Sequence, residues 1–158
     1  MRQLVVLAGI MASSLLFGTV DGHAENWIQN HNEKTTIEAN YHDADSVKVA
    51  DKTLSWTEKT VIAGDRIKPY NQNLSKYEAC KQSIAKKGEV THHQVDYQIK
   101  NGQFRRLAKR NYNKANELVC TDEDMGKDYD KTWHRIGRRA PIEETYFHLV
   151  TRYKLKDL

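Results

Sequence analysis

Histidine is the side chain that exchanges a proton or binds a metal near neutral pH, so the histidines come first. His92 and His93 are adjacent. On a strand, neighbouring side chains point to opposite faces, so the pair is poorly placed to chelate one ion. His42 stands in the run Tyr41-His42-Asp43-Ala44-Asp45-Ser46. That run reads as a turn feeding a strand, with the Asp side chains accepting from nearby amides. A catalytic role would need one of these histidines to converge with a carboxylate in a cavity. The acidic run Asp122, Glu123, Asp124, Asp128 and Asp130 raises the question of calcium. An EF-hand loop needs Gly at its sixth position and Glu at its twelfth. Counted from Asp122, Gly126 is fifth and Trp133 twelfth, so the reading is a solvated acidic loop. A nucleophile elbow, a phosphate loop, a zincin helix and a catalytic Cys motif are all missing from the sequence. The expectation is a protein without catalytic residues, bound metal or cofactor.

The remaining chemistry is positive charge interleaved with aromatics. Lys100, Phe104, Arg105, Arg106, Lys109, Arg110 and Tyr112 form the candidate binding set, with Lys114 just beyond. Such a surface suits a protein or an anionic glycan. The competing reading is an edge strand studded with charge against aggregation. A net charge of +4 on 158 residues is too low for a dedicated nucleic-acid binder.

The chain opens like an exported protein. Arg2 is followed by a mostly apolar Leu4–Phe17 and then by Gly22-His23-Ala24. This is the charged, apolar and small-residue order of a secretory signal. Gly9, Ser13, Ser14 and Gly18 interrupt the apolar run, which is short for a spanning helix. The expected organisation is a signal peptide over 1–24 and one domain over 25–158. That domain carries two cysteines, Cys80 and Cys120. In an oxidising compartment an even pair reads as a disulfide, and this one would close a loop of about 40 residues.

Two hairpins should supply the sheet. Ser46–Val49 and Thr53–Thr57 alternate around Asp51-Lys52, which would put Val47, Val49, Leu54 and Trp56 on one buried face, and Thr60–Ile62 could extend the sheet. Val95, Tyr97 and Ile99 alternate up to Asn101-Gly102, the strongest two-residue turn signal. Phe104 and Leu107 return out of phase, which predicts a bulge near Arg105-Arg106. Gly64-Asp65 and Pro69 predict a loop over 64–74. Ser75 with Glu78 has capping-box spacing, which predicts a helix over 76–87 ended by Gly88. Residues 121–131 read as irregular. Pro141, Glu143 and Glu144 mark the start of a C-terminal helix with Tyr146, Leu149, Val150 and Tyr153 as its apolar stripe. The fold class is α+β: a small antiparallel sheet of hairpins, a C-terminal helix, a second short helix and one disulfide.

Several short motifs together resemble the surface-adhesin protein E family of Gram-negative bacteria. They are Trp27 near the domain's start, Tyr41, Ser46-Val47, Leu54-x-Trp56, Tyr77-Glu78-Ala79-Cys80, Tyr97 to Gly102, and Trp133-x-x-Ile136 followed by Pro141. The resemblance spans most of residues 27–150. It implies an antiparallel sheet with packed helices, a periplasmic or outer-surface location, binding to host matrix and serum proteins, and homodimer formation. The alternative expectation is a periplasmic envelope or accessory protein that binds another bacterial protein.

Overall fold

A computed structural model of the protein describes residues 25–30, 39–138 and 140–155. The segment read as a secretory signal lies outside the described residues. In chain order the strands and helices are β1 (Trp27–Gln29), β2 (Ala39–Asp43), β3 (Lys48–Ala50), β4 (Thr53–Val61), α1 (Gly64–Leu74), α2 (Glu78–Lys87), β5 (Val90–Lys100), β6 (Gln103–Asn113), β7 (Leu118–Thr121), α3 (Asp122–Met125), β8 (His134–Arg135) and α4 (Pro141–Arg152). The strands form one antiparallel sheet in the order β1-β2-β4-β5-β6-β7, with β3 beside β4 and β8 beside β6. The fold is α+β, as expected.

Both predicted hairpins form. Asn101 and Gly102 have φ of 51° and 70° at the tip between β5 and β6, the doubly positive geometry that an Asn-Gly turn adopts readily. Asp51 and Lys52 make a similar tip between β3 and β4, at 48° and 59°. The predicted bulge falls one residue later than Arg105-Arg106: Asp96 faces Ala108 and Tyr97 faces Arg106, so Leu107 is the extra residue.

Alternation along β4 buries Leu54, Trp56, Glu58 and Thr60 and leaves Ser55, Thr57 and Lys59 on the other face. The helices pack on the first of these faces. Leu149, Tyr146 and Tyr153 of α4 and its C-terminal end meet Leu54, Trp56 and Ile99. Leu74, Ile67 and Tyr70 of α1, with Cys80 and Ile84 of α2, meet Ile62, Val90, Val119, Cys120 and Met125. Cys80 and Cys120 form a disulfide with Cα atoms 5.3 Å apart, tying α2 to β7 inside this second cluster.

Four expectations need correction. Residues 64–74 are not a loop but α1, despite Pro69 at its sixth position. Proline there removes a single backbone donor, while Ile67, Tyr70 and Leu74 share one face and reach the core, so packing outweighs the local breaker. Ser75 does not cap α2. It closes α1, its hydroxyl donating to the Asn71 carbonyl (2.8 Å), and α2 begins after Tyr77 without a side-chain cap. Glu78 instead accepts from Gln82 one turn on (3.0 Å). Val49 faces Leu54 in register, yet it is 44% exposed, because β3 is the outermost strand at that corner. Residues 121–131 are not irregular throughout. They hold α3 and a 3-10 turn over Gly126–Asp128, with the Asp124 carboxylate accepting from the Thr121 backbone N–H (2.7 Å).

Asn71 shows how α1 is held to the sheet. Its Nδ2 donates to the Val90 carbonyl (3.0 Å) and its Oδ1 accepts from the Val90 N–H (2.8 Å). The amide thus stands in for a neighbouring strand where the β5–β6 register shifts between Val90 and His92. Asn71→Ala would orphan two buried backbone groups at about 1–3 kcal/mol each. Urea unfolding should show a loss of roughly 2–6 kcal/mol, while Asn73→Ala, at an exposed position, stays within about 0.5 kcal/mol of the parent. Equal effects of the two substitutions would refute the bridging role.

Candidate binding face

The sheet face opposite the helices carries no helix among the described residues. Its residues follow from the register. Lys59 lies opposite Tyr41 and Gln94, and Tyr41 lies opposite Gln29. Trp27 belongs to the same face through Asp43. Gln94 lies opposite Arg110, His92 opposite Tyr112, and Gln98 opposite Ser55 and Arg105.

These side chains form a linked layer. Lys59 Nζ sits 4.3 Å from the centre of the Trp27 ring and 5.3 Å from that of Tyr41. Burial pulls the Lys59 pKa below its usual value, and the charge of Glu25 opposes the shift. Glu25 accepts from the Trp27 indole (2.8 Å) and from Gln94 (3.1 Å). His92 stacks on Tyr112 with ring centres 5.3 Å apart and bonds Asn116 Oδ1 through Nε2 (3.0 Å). Arg110 makes a forked pair with Asp96 (2.8 and 2.6 Å), which also accepts from Thr57 (2.8 Å). Arg105 donates twice to Gln98 (2.9 and 2.7 Å) and lies 4.6 Å from the Trp133 ring centre. At one end the layer opens into a groove of about 460 Å³, lined by Glu25, Trp27, Lys59, Val61, His92, Lys114 and Asn116.

The seven residues singled out from the sequence therefore do not form one surface. Arg105, Arg110 and Tyr112 belong to the helix-free face. Phe104, Arg106 and Lys109 point to the helix side, opposite Ile99, Tyr97 and Val95. There Phe104 packs into the α4 cluster and Arg106 lies 5.7 Å from the Tyr129 ring centre. Lys100 sits at the hairpin tip opposite Gln103. Strand alternation divides them, and the bulge at Leu107 sets the grouping, because an extra residue reverses the faces of everything after it and brings Arg110 and Tyr112 to the side of Arg105. The edge-strand alternative keeps its ground over part of the strand: outside β5, β8 pairs with Gln103 and Phe104 and β7 with Arg110, Asn111 and Tyr112, which leaves Arg105–Lys109 without an outer strand partner among the described residues. The sequence placed no binding role on Trp27, Tyr41, Lys59 or His92. The available signal was Lys59 alternating with Trp56, Glu58 and Thr60 once the strand is run on to Val61.

The histidines part as expected, His92 to the helix-free face and His93 to the helix side. His93 stacks flat on Tyr70, with ring centres 5.5 Å apart. Burial and the charge of Lys109 hold its pKa at about 3. His42 and Glu58 do converge, within a closed polar cluster beneath α4. His42 Nδ1–H donates to Asn30 Oδ1 (2.7 Å), and Nε2 accepts from the Tyr153 hydroxyl (2.9 Å). Asn30 Nδ2 donates to Glu58 (3.3 Å), as does Thr145 (3.0 Å). Burial lowers the His42 pKa to about 4, with His148 adding to the shift, and raises that of Glu58 to about 7 against the Thr145 hydrogen bond. His42 is 0% exposed, so the cluster is built to join α4 to the sheet. Asp43 Oδ1 accepts from the amides of Asn26 and Asp45 (3.1 and 3.2 Å), the turn role expected of it.

In the acidic segment, Asp122 is buried, accepts from the Lys109 N–H (2.8 Å) and pairs with Lys131 (2.5 Å). Asp130 accepts from Thr132 and pairs with His134 (2.8 Å). Cys80, Cys120 and Asp124 place ligand-type atoms within 4.8 Å of one another, but the two sulfurs are bonded to each other. No helix among the described residues is long and apolar enough to cross a membrane.

No family model matches the chain, and comparison with curated proteins and with solved structures finds no significant match.

Proposed function

We propose that the chain is an exported, non-enzymatic binding domain, adhesin-like, whose ligand docks on the helix-free face of the sheet. The observation that carries this reading is the segregation of layers. All the packed helices lie on one face, and the other displays Trp27, Tyr41, Lys59, His92, Arg105, Arg110, Tyr112 and Trp133. Lys59, Arg105, Arg110 and Lys114 outnumber Glu25, Asp43 and Asp96 there, which favours an anionic ligand. Aromatics already fixed by stacking lose little freedom when they bind. The chemical class is an anionic glycan or an acidic stretch of a host matrix or serum protein. The export reading rests on residues 1–24 together with the disulfide, a bond that persists in oxidising compartments. It places the protein in the periplasm or on the outer surface.

The test is binding of the purified, oxidised protein to heparin, vitronectin and laminin at increasing salt. The expected result is binding that weakens steadily with salt and falls about tenfold in Lys59→Ala/Arg105→Ala, as loss of two cationic contacts implies. Circular dichroism checks that the variant stays folded. Binding that ignores both salt and the substitutions would reject the proposed face. A complete lack of binding would favour the alternative, an envelope protein with a bacterial partner.

A further inference from the structure

The cations of the helix-free face fall into two groups with a neutral stretch between them. At one end Lys59 lies over Trp27 and Tyr41, its Nζ 4.3 and 5.3 Å from the ring centres, and Lys114 lines the same groove. Glu25 lines it too, held by the Trp27 indole and the Gln94 amide (2.8 and 3.1 Å), and the two ammonium groups exceed its charge. At the other end Arg105 lies 4.6 Å from the centre of the Trp133 ring, itself 36% exposed. Arg105 donates to the neutral Gln98 side chain (2.9 and 2.7 Å). Among the described residues neither Lys59 nor Arg105 has a carboxylate at ion-pair distance. Between the two groups, Arg110 is neutralised by its forked pair with Asp96 (2.8 and 2.6 Å).

The register fixes how far apart the groups stand. Lys59 is opposite Gln94 of β5, and Arg105 is opposite Gln98. Those four residues of β5 cover about 13 Å, and the step from β4 across β5 to β6 adds about 10 Å sideways. The backbone positions of the two cations are thus about 16 Å apart, on a diagonal that crosses three strands. A peptide that joins a sheet pairs with an edge strand and gains main-chain hydrogen bonds. Lys59 stands on β4 where β2 and β5 flank it on both sides, so a ligand on this diagonal has no backbone ladder to join. It must be held by its own repeated charges, and ammonium and guanidinium groups suit sulfate and carboxylate oxygens.

We infer that this face selects a polyanionic glycan by length, one long enough to set sulfate or carboxylate groups on Lys59 and Arg105 at once. The inference rests on the reading of the helix-free face as the binding face. Lys59 and Arg105 act as two subsites, and the Arg110–Asp96 pair leaves the stretch between them neutral. Ring contacts hold both cations in place, so little freedom is lost on binding. A ligand shorter than the span reaches one subsite at a time and gains nothing from the other.

The probes are heparin fragments of defined length, titrated into the purified, oxidised, isotope-labelled protein and followed by calorimetry and amide NMR. A disaccharide is too short to bridge the subsites, and a hexasaccharide is long enough. The hexasaccharide should bind about tenfold more tightly than the disaccharide, as one further charged contact implies. It should shift the amides of Lys59 and Arg105 together, on a single saturation curve. In Lys59→Gln or Arg105→Gln, checked for folding by circular dichroism, that advantage should shrink to about threefold or less. A six-residue glutamate peptide should bind at least about tenfold more weakly than the hexasaccharide. Equal binding of disaccharide and hexasaccharide, hexasaccharide shifts confined to one end, or an advantage that survives either substitution would overturn the length selection and leave the binding face standing. Glutamate peptide binding as tight as that of the hexasaccharide would overturn the choice of a glycan. Failure of heparin of every length, the intact polymer included, would reject the binding face itself and this inference with it.

Discussion

Loss of the Cys80–Cys120 bond should cost the folded protein about 3–4 kcal/mol. The two cysteines are 40 residues apart, and chain-entropy arguments assign a closed loop of that size about this much stabilisation. For a domain of ordinary stability, roughly 5–15 kcal/mol in all, that is a large share. The bond also lies at 0% and 2% exposure among Ile62, Leu74, Val90 and Val119, so reduction would place two thiols inside the α1–α2 cluster. Urea unfolding with and without reductant measures the difference. Cys80→Ala/Cys120→Ala should unfold at the same urea concentration in both buffers, close to that of the reduced parent. A difference below about 1 kcal/mol between oxidised and reduced parent would show that the bond is incidental to the fold.

Stability should climb by about 1.4 kcal/mol per pH unit between pH 4.5 and 6.5 and level off near neutrality. The sign comes from the proton balance of each shifted group. His93 has its folded pKa depressed to about 3 by burial. Its contribution is complete above the unfolded value near 6.5 and is lost progressively as pH falls toward 3. His92 is shifted the same way by burial. His42, at about 4, behaves likewise. Glu58 is opposite: with a folded pKa of about 7, it stabilises most below its unfolded value near 4.5 and loses that contribution as pH rises toward 7. Between 4.5 and 6.5 the folded cluster keeps one proton on Glu58 and none on His42, while the unfolded chain keeps one on His and none on Glu. The two effects cancel there, so the slope that survives belongs mainly to His93. Urea unfolding at pH 4.5, 5.5 and 6.5 should therefore show the climb in the parent and a much flatter line in His93→Gln. Glu58→Gln should gain on the parent as pH rises from 5 to 8. A parent curve that is flat over this range would mean that His93 is hydrated in the folded state.

The parts of the molecule that were readable in advance are those set by local chemistry. The Asn101-Gly102 tip needs positive φ at two residues, and few other pairs accept it. Pro141 with Glu143-Glu144 begins α4 for reasons contained within one helical turn. Gly88, at φ 94°, ends α2 where a residue without a side chain is needed. The pairing of Cys80 with Cys120 followed from there being only two cysteines in the chain.

The misread parts depend on partners far away in the chain. Pro69 argues against a helix locally, and the packed side chains of Ile67, Tyr70 and Leu74 outweigh it. Ser75 can cap a helix ahead of it or close one behind it, and only the presence of α1 decides between them. The seven-residue basic-aromatic set looked continuous because sequence shows spacing but not which face a side chain takes. Strand alternation with a single extra residue at Leu107 sends Arg105 and Arg110 to one side and Arg106 and Lys109 to the other.

Local chemistry was thus enough for an α+β chain with two hairpins, a C-terminal helix opened by Pro141 and one crosslink, all of which rest on φ preferences, helix-end chemistry and composition. Long-range packing set which sheet face the helices cover, that His42 and Glu58 meet beneath α4, and that Lys59 rests on Trp27 while Lys109 faces Tyr70. Those outcomes come from burying apolar surface between elements remote in sequence, a non-directional force whose result depends on the whole packed arrangement.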